Sequence, residues 1–510
     1  MSVRRMARTV VAAILFVAPL LSAPPARAAG PTVLGAGSTW SQIAIDQWRN
    51  DVVRMGLSIN YQGVGSTQGR QMFASGTVDF GVSEIPYGEG GESLPSRGFK
   101  YMPIVAGGTS LMYNVKSPSG QQIRDLTLSP STIAGIFTGK ITKWSDPEIK
   151  RDYSKPLPNT SITTVVRSDG SGTSYQFSAF LKAMEPGMWS SFMSACGQGS
   201  SNPTSFYPSG PPCPGHSIAQ LRSDGVANYI ANPGLGNGAI GYVEAGYAIA
   251  RRFPVVAVKN KSGHYVYPTA INVATALKHA HLNNDSTQEL SQVYTASENN
   301  AYPISSYSYM IVPTDSSIST AKGQVLGKFI IYFACTGQQQ AEKLGYSPLP
   351  KELVEFTFDA EKAIPGAPNP PALTAKACPN PTIDGSFYKN ASLEPPPGSV
   401  TTTVPEEGGG TTGTTGSGTG SASSSTGASG TEGAVASGST GAVGSGSTGV
   451  VTASVAVAND EELAQLKALA DEQIQGMPLA SQLPLIVGAI VVLLLIFGPL
   501  FLRLSGRGHD

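Results

Sequence analysis

Histidine is scarce. The 510-residue chain has five, and one of them, His509, stands in the terminal tail, so no Ser/His/Asp triad can be assembled. A Gly-x-Ser-x-Gly elbow is missing as well. Ser319-Thr320-Ala321-Lys322 fits a Ser-x-x-Lys pattern, but no Lys-Thr-Gly partner accompanies it, and so short a pattern often arises by chance. Gly35-Ala36-Gly37 lacks the third glycine of a dinucleotide fingerprint, and no Walker lysine follows any glycine-rich turn. Net charge is also absent: 34 Lys and Arg balance 34 Asp and Glu, so no global field recommends nucleic acid or an anionic membrane surface. Any anion preference must be local. The four cysteines have no metal-ligand spacing, and His279-Ala280-His281 is an i, i+2 pair whose rings face opposite ways on a helix. Neither a metal nor a cofactor is expected.

Two apolar segments are present, one near each end. Arg4, Arg5 and Arg8 precede an apolar run from Val10 to Leu21 and then Ala26-Arg27-Ala28, which reads residues 1–28 as a cleaved secretory signal peptide. Residues 483–502 carry no charge and suffice to cross a ~30 Å hydrocarbon core. Arg503 and Arg507 follow, so the tail 503–510 is expected in the cytoplasm and the N-terminal domain outside a cell membrane spanned once. Residues 391–458 are rich in Gly, Ser and Thr, with too little apolar content to offset ordering entropy, and read as a disordered linker. Residues 459–475 read as a short juxtamembrane helix that opens on Asn459-Asp460-Glu461-Glu462. Four cysteines in an exported chain suggest two disulfides, with three connectivities open. The favoured pairing is Cys196 with Cys213, closing a Gly/Pro/Ser-rich loop, and Cys335 with Cys378, tying down the segment after the last helix.

Residues 29–390 have the composition of a folded domain. One device recurs there: a strand, a small-residue turn, then a helix start. It appears at Gly35-Ala36-Gly37-Ser38-Thr39-Trp40, at Gly63-Val64-Gly65-Ser66-Thr67, and after the strand Val78 to Glu84. Strands alternating with helices predict an α/β architecture with parallel strands and ligands beyond their carboxyl ends. Residues 101–115 read as two extended stretches around Gly107-Gly108, a crossing to a second lobe, and Val255 to Val258 as the way back. Lobe I would hold residues 31–106 and 259–360, and lobe II residues 107–258. Two lobes with two crossings make a clamshell that closes on a hinge.

The device is richest at Arg167-Ser168-Asp169-Gly170-Ser171-Gly172-Thr173, which follows the β-branched run Ile162 to Val166. Backbone NH groups of Ser171, Gly172 and Thr173 at a helix N-terminus would form an anion site, with hydroxyl donors and the Arg167 fork beside them. Asp169 would repel an anion, so it is assigned as the partner that holds Arg167 in place. The bland alternative is an ordinary strand-to-helix turn with a surface ion pair.

These stretches, with Ile141-Thr142-Lys143-Trp144-Ser145-Asp146-Pro147 and Gly238 to Glu244, resemble in order the phosphate-binding proteins of phosphate-specific ABC transporters (the PstS-type family). The resemblance covers about residues 31–350. It implies a two-lobed type II periplasmic-binding-protein fold with inorganic phosphate held between the lobes and delivered to ABC permease subunits. Carried over by motif, the ligand contacts would be Thr39 and Trp40 through backbone NH, Ser66, Glu84, Arg167, Ser171, Gly172 and Thr173. The family usually has Asp where Glu84 stands and often Phe where Trp40 stands. The family's acid accepts the proton of hydrogen phosphate and so excludes sulfate. Glu84 is also an acceptor, one methylene longer, so the anion or the backbone around it would have to shift. No catalytic residue and no nucleic-acid partner are expected. A phosphatase-like enzyme on the same fold, or a surface sensing or adhesion protein feeding no transporter, are the alternatives.

Overall fold

Largely apolar runs, several of them ending in glycine, serine or a charged residue, form the strands of one mixed sheet. Strands β1 (Val33–Gly37), β2 (Ile59–Gly63), β3 (Phe80–Ser83), β4 (Phe99–Asn114), β5 (Thr163–Arg167), β6 (Ser217–Gln220), β7 (Ala239–Glu244) and β8 (Ser305–Pro313) lie in the order β2-β1-β3-β8-β4-β7-β5-β6. This computed structural model describes residues 30–400. The expected signal peptide (1–28), residues 401–458 of the linker, the juxtamembrane helix (459–475), the membrane span (483–502) and the tail (503–510) lie outside the described residues. Among the described residues no helix is long and apolar enough to cross a membrane.

Pairing is parallel towards both edges, where β1 joins β2 and β3, and β5 joins β6 and β7. In the middle it is antiparallel: β8 pairs with β3 and β4, and β4 with β7. The expected parallel strands are thus found at both edges, and the antiparallel centre is an addition to that expectation. A chain that crosses to a second lobe and comes back must run through the centre in both directions.

Strand β4 is the element the two lobes share. Its residues Phe99 to Gly108 pair with β8 in the first lobe, and Thr109 to Asn114 pair with β7 in the second. It runs unbroken for 16 residues, of which 14 are buried, as expected for a strand covered on both faces. The sequence suggested a break at Gly107-Gly108, but these glycines serve packing. A Cβ on Gly107 would come within 2.7 Å of the Trp40 ring, and one on Gly108 within 2.7 Å of Pro268.

Helices follow the strands where the apolar spacing allows. Helix α1 (Gln42–Val53) buries Ala44, Ile45, Trp48 and Val52 on one face. Trp48 stacks on Phe333 at 5.2 Å and donates its indole NH to the Gly337 carbonyl at 3.0 Å. Helix α2 (Ser66–Ala74) follows β2, and α3 (Gly172–Met184) follows β5. Helices α4 (Arg222–Ala231) and α5 (Ala245–Arg251) flank β7, while α6 (Thr320–Ala334) and α7 (Lys351–Glu361) close the first lobe. The second lobe is filled by aromatics: Phe177 lies 4.7 Å from Phe137 and 4.8 Å from Tyr242. One expected helix start is missing, because turns rather than a helix follow β3 over residues 84–98.

Disulfides join Cys196 to Cys213 and Cys335 to Cys378. Beyond the short helix Ser386–Asn390 the chain stays packed up to Val400, ten residues into the stretch expected to be linker. Ser392 NH donates to Glu342 Oε1 at 2.8 Å on the first lobe. Farther on, Val255 NH donates to Ser399 Oγ at 3.0 Å, Arg124 to the Gly398 carbonyl at 2.7 Å and Tyr267 to the Val400 carbonyl at 2.8 Å. Residues 391–400 thus strap the first lobe to the segment that re-enters from the second.

Candidate anion-binding site

The carboxyl ends of β1, β2, β3 and β5 converge, and the turn after each contributes to one buried cluster. After β1, the peptide carbonyls of Ser38, Thr39 and Trp40 each accept from a tyrosine hydroxyl: Tyr61 at 2.7 Å, Tyr247 at 2.6 Å and Tyr346 at 2.5 Å. Burial pushes all three phenols well above their ordinary pKa, so they stay protonated donors. Three phenols thus hold the carbonyls of this turn, and Ser38 NH donates to the Val82 carbonyl of β3 at 2.9 Å. Trp40 NH donates to Ser38 Oγ at 3.0 Å.

After β3 stands Glu84, 1% exposed. Its Oε1 accepts from Ser38 Oγ and from Ser308 Oγ of β8, the latter at 2.9 Å, and its Oε2 accepts from Ser66 Oγ at 2.7 Å. Ser66 opens α2 and also accepts, at 3.1 Å, the NH of Gly172 from the other lobe. Gly172 is needed there: a Cβ on it would lie 2.3 Å from Glu84 Oε2. A second interlobe bond runs from Thr67 NH to the Gly170 carbonyl at 3.1 Å.

The second lobe supplies the charge. Arg167 ends β5 and is 3% exposed. Asp169 takes its Nε at 2.8 Å and its Nη2, a two-point grip that fixes the fork. Burial would raise the Asp169 carboxyl, but the hydrogen bonds and charge of Arg167, joined by the NH of Arg222 at 2.9 Å, hold it below the usual carboxylate range. Ser171 is the N-cap of α3 and accepts from Ser174 NH at 3.2 Å. Its own NH does not face the cluster, because it donates to the Ser205 carbonyl at 2.9 Å in the loop closed by Cys196 and Cys213. This corrects the expectation of three free amides at that turn. Thr173, 2% exposed, has a buried hydroxyl with no hydrogen-bond partner. An unmatched buried hydroxyl is costly unless something accepts from it.

The eight residues expected as ligands, and Asp169, lie on these turns or on the strand and helix ends beside them. Three contributors were not among the expected ligands: Ser38, Ser308 and Ser223. Ser308 sits inside a strand with no turn to mark it, and Ser223 sits at an ordinary-looking helix start. Glu244 has no hydrogen bond to this cluster: it ends β7 and caps α5 by accepting Tyr247 NH at 2.9 Å, while its Oε2 has no partner and burial pushes its pKa well above the ordinary value. The Ser319 pattern is resolved as structure: Ser319 caps α6, and Lys322 pairs with Asp79 at 2.9 Å. Among the described residues no cluster of His, Cys, Asp and Glu could hold a metal ion.

Residues 22–336 match the PBP superfamily domain, a class to which the two-lobed α/β sheet conforms. The phosphate-binding protein PstS of Xylella fastidiosa (strain Temecula1) is 32% identical over 326 residues, 63% of this chain and 83% of that protein. The protein of the same name from Pasteurella multocida (strain Pm70) is 29% identical over 327 residues, 64% and 88% of the two chains. A solved phosphate-binding protein from Stenotrophomonas maltophilia is 19% identical, with a TM-score of 0.49 over 69% of this chain and 98% of that one. The chain belongs to the PBP superfamily and, within it, to the family of PstS phosphate-binding proteins.

Proposed function

We propose that this chain is a receptor that binds inorganic phosphate between its lobes, outside the cell membrane, and hands it to ABC permease subunits. The observation that carries the reading is the meeting of a braced guanidinium, a cluster of buried hydroxyls and one carboxylate, drawn from both lobes onto one spot. In this reading the donors exchange partners when the anion enters. Ser66 and Ser38 hydroxyls turn from Glu84 to phosphate oxygens, Gly172 NH turns from Ser66, and the unmatched Thr173 hydroxyl gains an acceptor. Thr39 and Trp40 add backbone NH groups, and Ser171 acts through its hydroxyl. Glu84, released from these donors, accepts the phosphate's own proton. A fully ionised sulfate has no proton to offer and leaves that carboxylate facing an oxygen, a mismatch that can discriminate ~10⁴-fold.

Several charge-assisted hydrogen bonds, less the cost of closure, correspond to roughly micromolar binding or tighter. The outward location and the anchoring rest on the sequence: a signal peptide at 1–28, a linker to 458 and a span at 483–502. Calorimetry of the purified protein with phosphate, arsenate, sulfate and molybdate tests the reading. Saturable heat with phosphate, unchanged by excess sulfate, is expected. Sulfate or molybdate competing on equal terms would overturn it.

A further inference from the structure

Ser223 stands where the two lobes touch, between Arg222 and Asp224 at the start of α4. Its hydroxyl lies 2.9 Å from Thr39 Oγ1 of the first lobe and accepts from Arg167 Nη1 at 3.2 Å. Its backbone NH donates to the same Thr39 Oγ1 at 3.2 Å. The residue is 1% exposed. Asp169 holds the Nε and Nη2 edge of the guanidinium, so Nη1, which meets Ser223, is the corner turned towards the first lobe.

The backbone before Ser223 is unusual. Arg222 has φ of 60°, in the left-handed region that side chains other than glycine enter only at a conformational cost. Its NH is fixed to Asp169 Oδ1 at 2.9 Å. One carboxylate therefore braces Arg167 and also holds the strained residue that aims Ser223 inward. This arrangement makes sense if the guanidinium and the hydroxyl act on one guest. Across the same cluster, the buried Thr173 hydroxyl has no partner of its own.

We propose that Ser223 is a direct ligand of the bound phosphate. Its hydroxyl turns from Thr39 towards the phosphate oxygen that Arg167 Nη1 binds, so that oxygen receives a charged donor and a neutral one from the second lobe. Its NH stays on Thr39 and keeps that side chain in register. The assignment rests on the phosphate reading given above and adds a contact to it.

The test compares the parent protein with Ser223→Ala and Ser223→Thr. Phosphate titrations by calorimetry are paired with small-angle scattering in phosphate-free and phosphate-saturated buffer. Losing a hydroxyl donor to a charged ligand is expected to weaken phosphate binding about ten- to hundredfold, with Ser223→Thr close to the parent. At saturation Ser223→Ala should still reach the parent's radius of gyration. An alanine variant that binds as tightly as the parent overturns the proposal. So does one whose radius in saturating phosphate stays larger than the parent's, because the hydroxyl would then be an interlobe latch. Should alanine fail to fold, the threonine variant carries the test: parent-like phosphate affinity supports the hydroxyl contact, and a well-folded threonine variant that has lost tenfold or more overturns it. No phosphate heat from the parent itself would sink the receptor reading instead.

Discussion

Glu84 and Glu361 lie in different parts of the molecule, both withdrawn from water, and only Glu84 is matched by donors on both oxygens. Glu84, at the meeting of the turns, is 1% exposed and accepts from three serine hydroxyls. Glu361, at the end of α7, is 0% exposed, and neither of its oxygens has a partner. It packs against α6, where a Cβ on Gly327 would lie 2.8 Å from its Oε1. Burial pushes its pKa up to about 7. The contrast shows what matching accomplishes. A carboxylate ringed by donors can be buried and keep those donors available for a guest. An unmatched one is most easily buried with its proton on.

Removing the charge on the matched side should have the largest effect. Arg167→Ala leaves Asp169 buried without its counter-charge and deletes the only strong positive group assigned to the anion, so phosphate affinity should fall by about a thousandfold, on the order of 4 kcal/mol. Calorimetry reads this directly, and retained tight binding would show that the cluster is not built around the guanidinium. Glu84→Gln comes next. It replaces a pure acceptor with a group that also donates, so phosphate should weaken ~10- to 100-fold while sulfate gains. If the phosphate-to-sulfate ratio does not move, Glu84 has no role in selection.

On the unmatched side the readout is stability against pH. The folded pKa of Glu361, about 7, lies above its ordinary 4.5, so the folded state binds more protons between those values. Stability from this site is therefore fully present below about pH 4.5, declines as pH rises, and is lost above about pH 7. Glu361→Gln should melt higher than the parent at pH 8, by on the order of 2 kcal/mol, and no higher at pH 4. A pH-independent difference would mean that the carboxyl does not titrate there. The smallest effect is expected at the strap, where Ser399→Ala removes the acceptor for Val255 NH and should lower stability by about 1 kcal/mol in thermal melts.

Much of this arrangement is written in local sequence. Apolar runs followed by small residues mark β1, β2 and β5 and the turns that carry Ser38, Ser66 and Arg167, because a strand end and a helix start each have their own residue signature. The acid after β3 is legible as well. What is not legible is set by distant contacts. The antiparallel centre of the sheet depends on where β8 returns, and β4 looks broken at Gly107-Gly108 because nothing local announces Trp40 and Pro268 pressing on it. Ser308 and Ser223 are single hydroxyls whose partners lie far along the chain. The Ser171 amide is claimed by Ser205 across a disulfide-closed loop, which no reading of the turn alone could foresee.

In the proposed function, donors from both lobes converge on one tetrahedral anion. A crystal structure of the protein grown with arsenate, phased on the arsenic anomalous signal, tests it most directly. A single strong peak is expected, enclosed by Arg167, Ser66, Thr173 and Glu84, with the Ser38 and Ser66 hydroxyls turned from the carboxylate to arsenate oxygens. A peak elsewhere, with these turns still bonded only to each other, would contradict it.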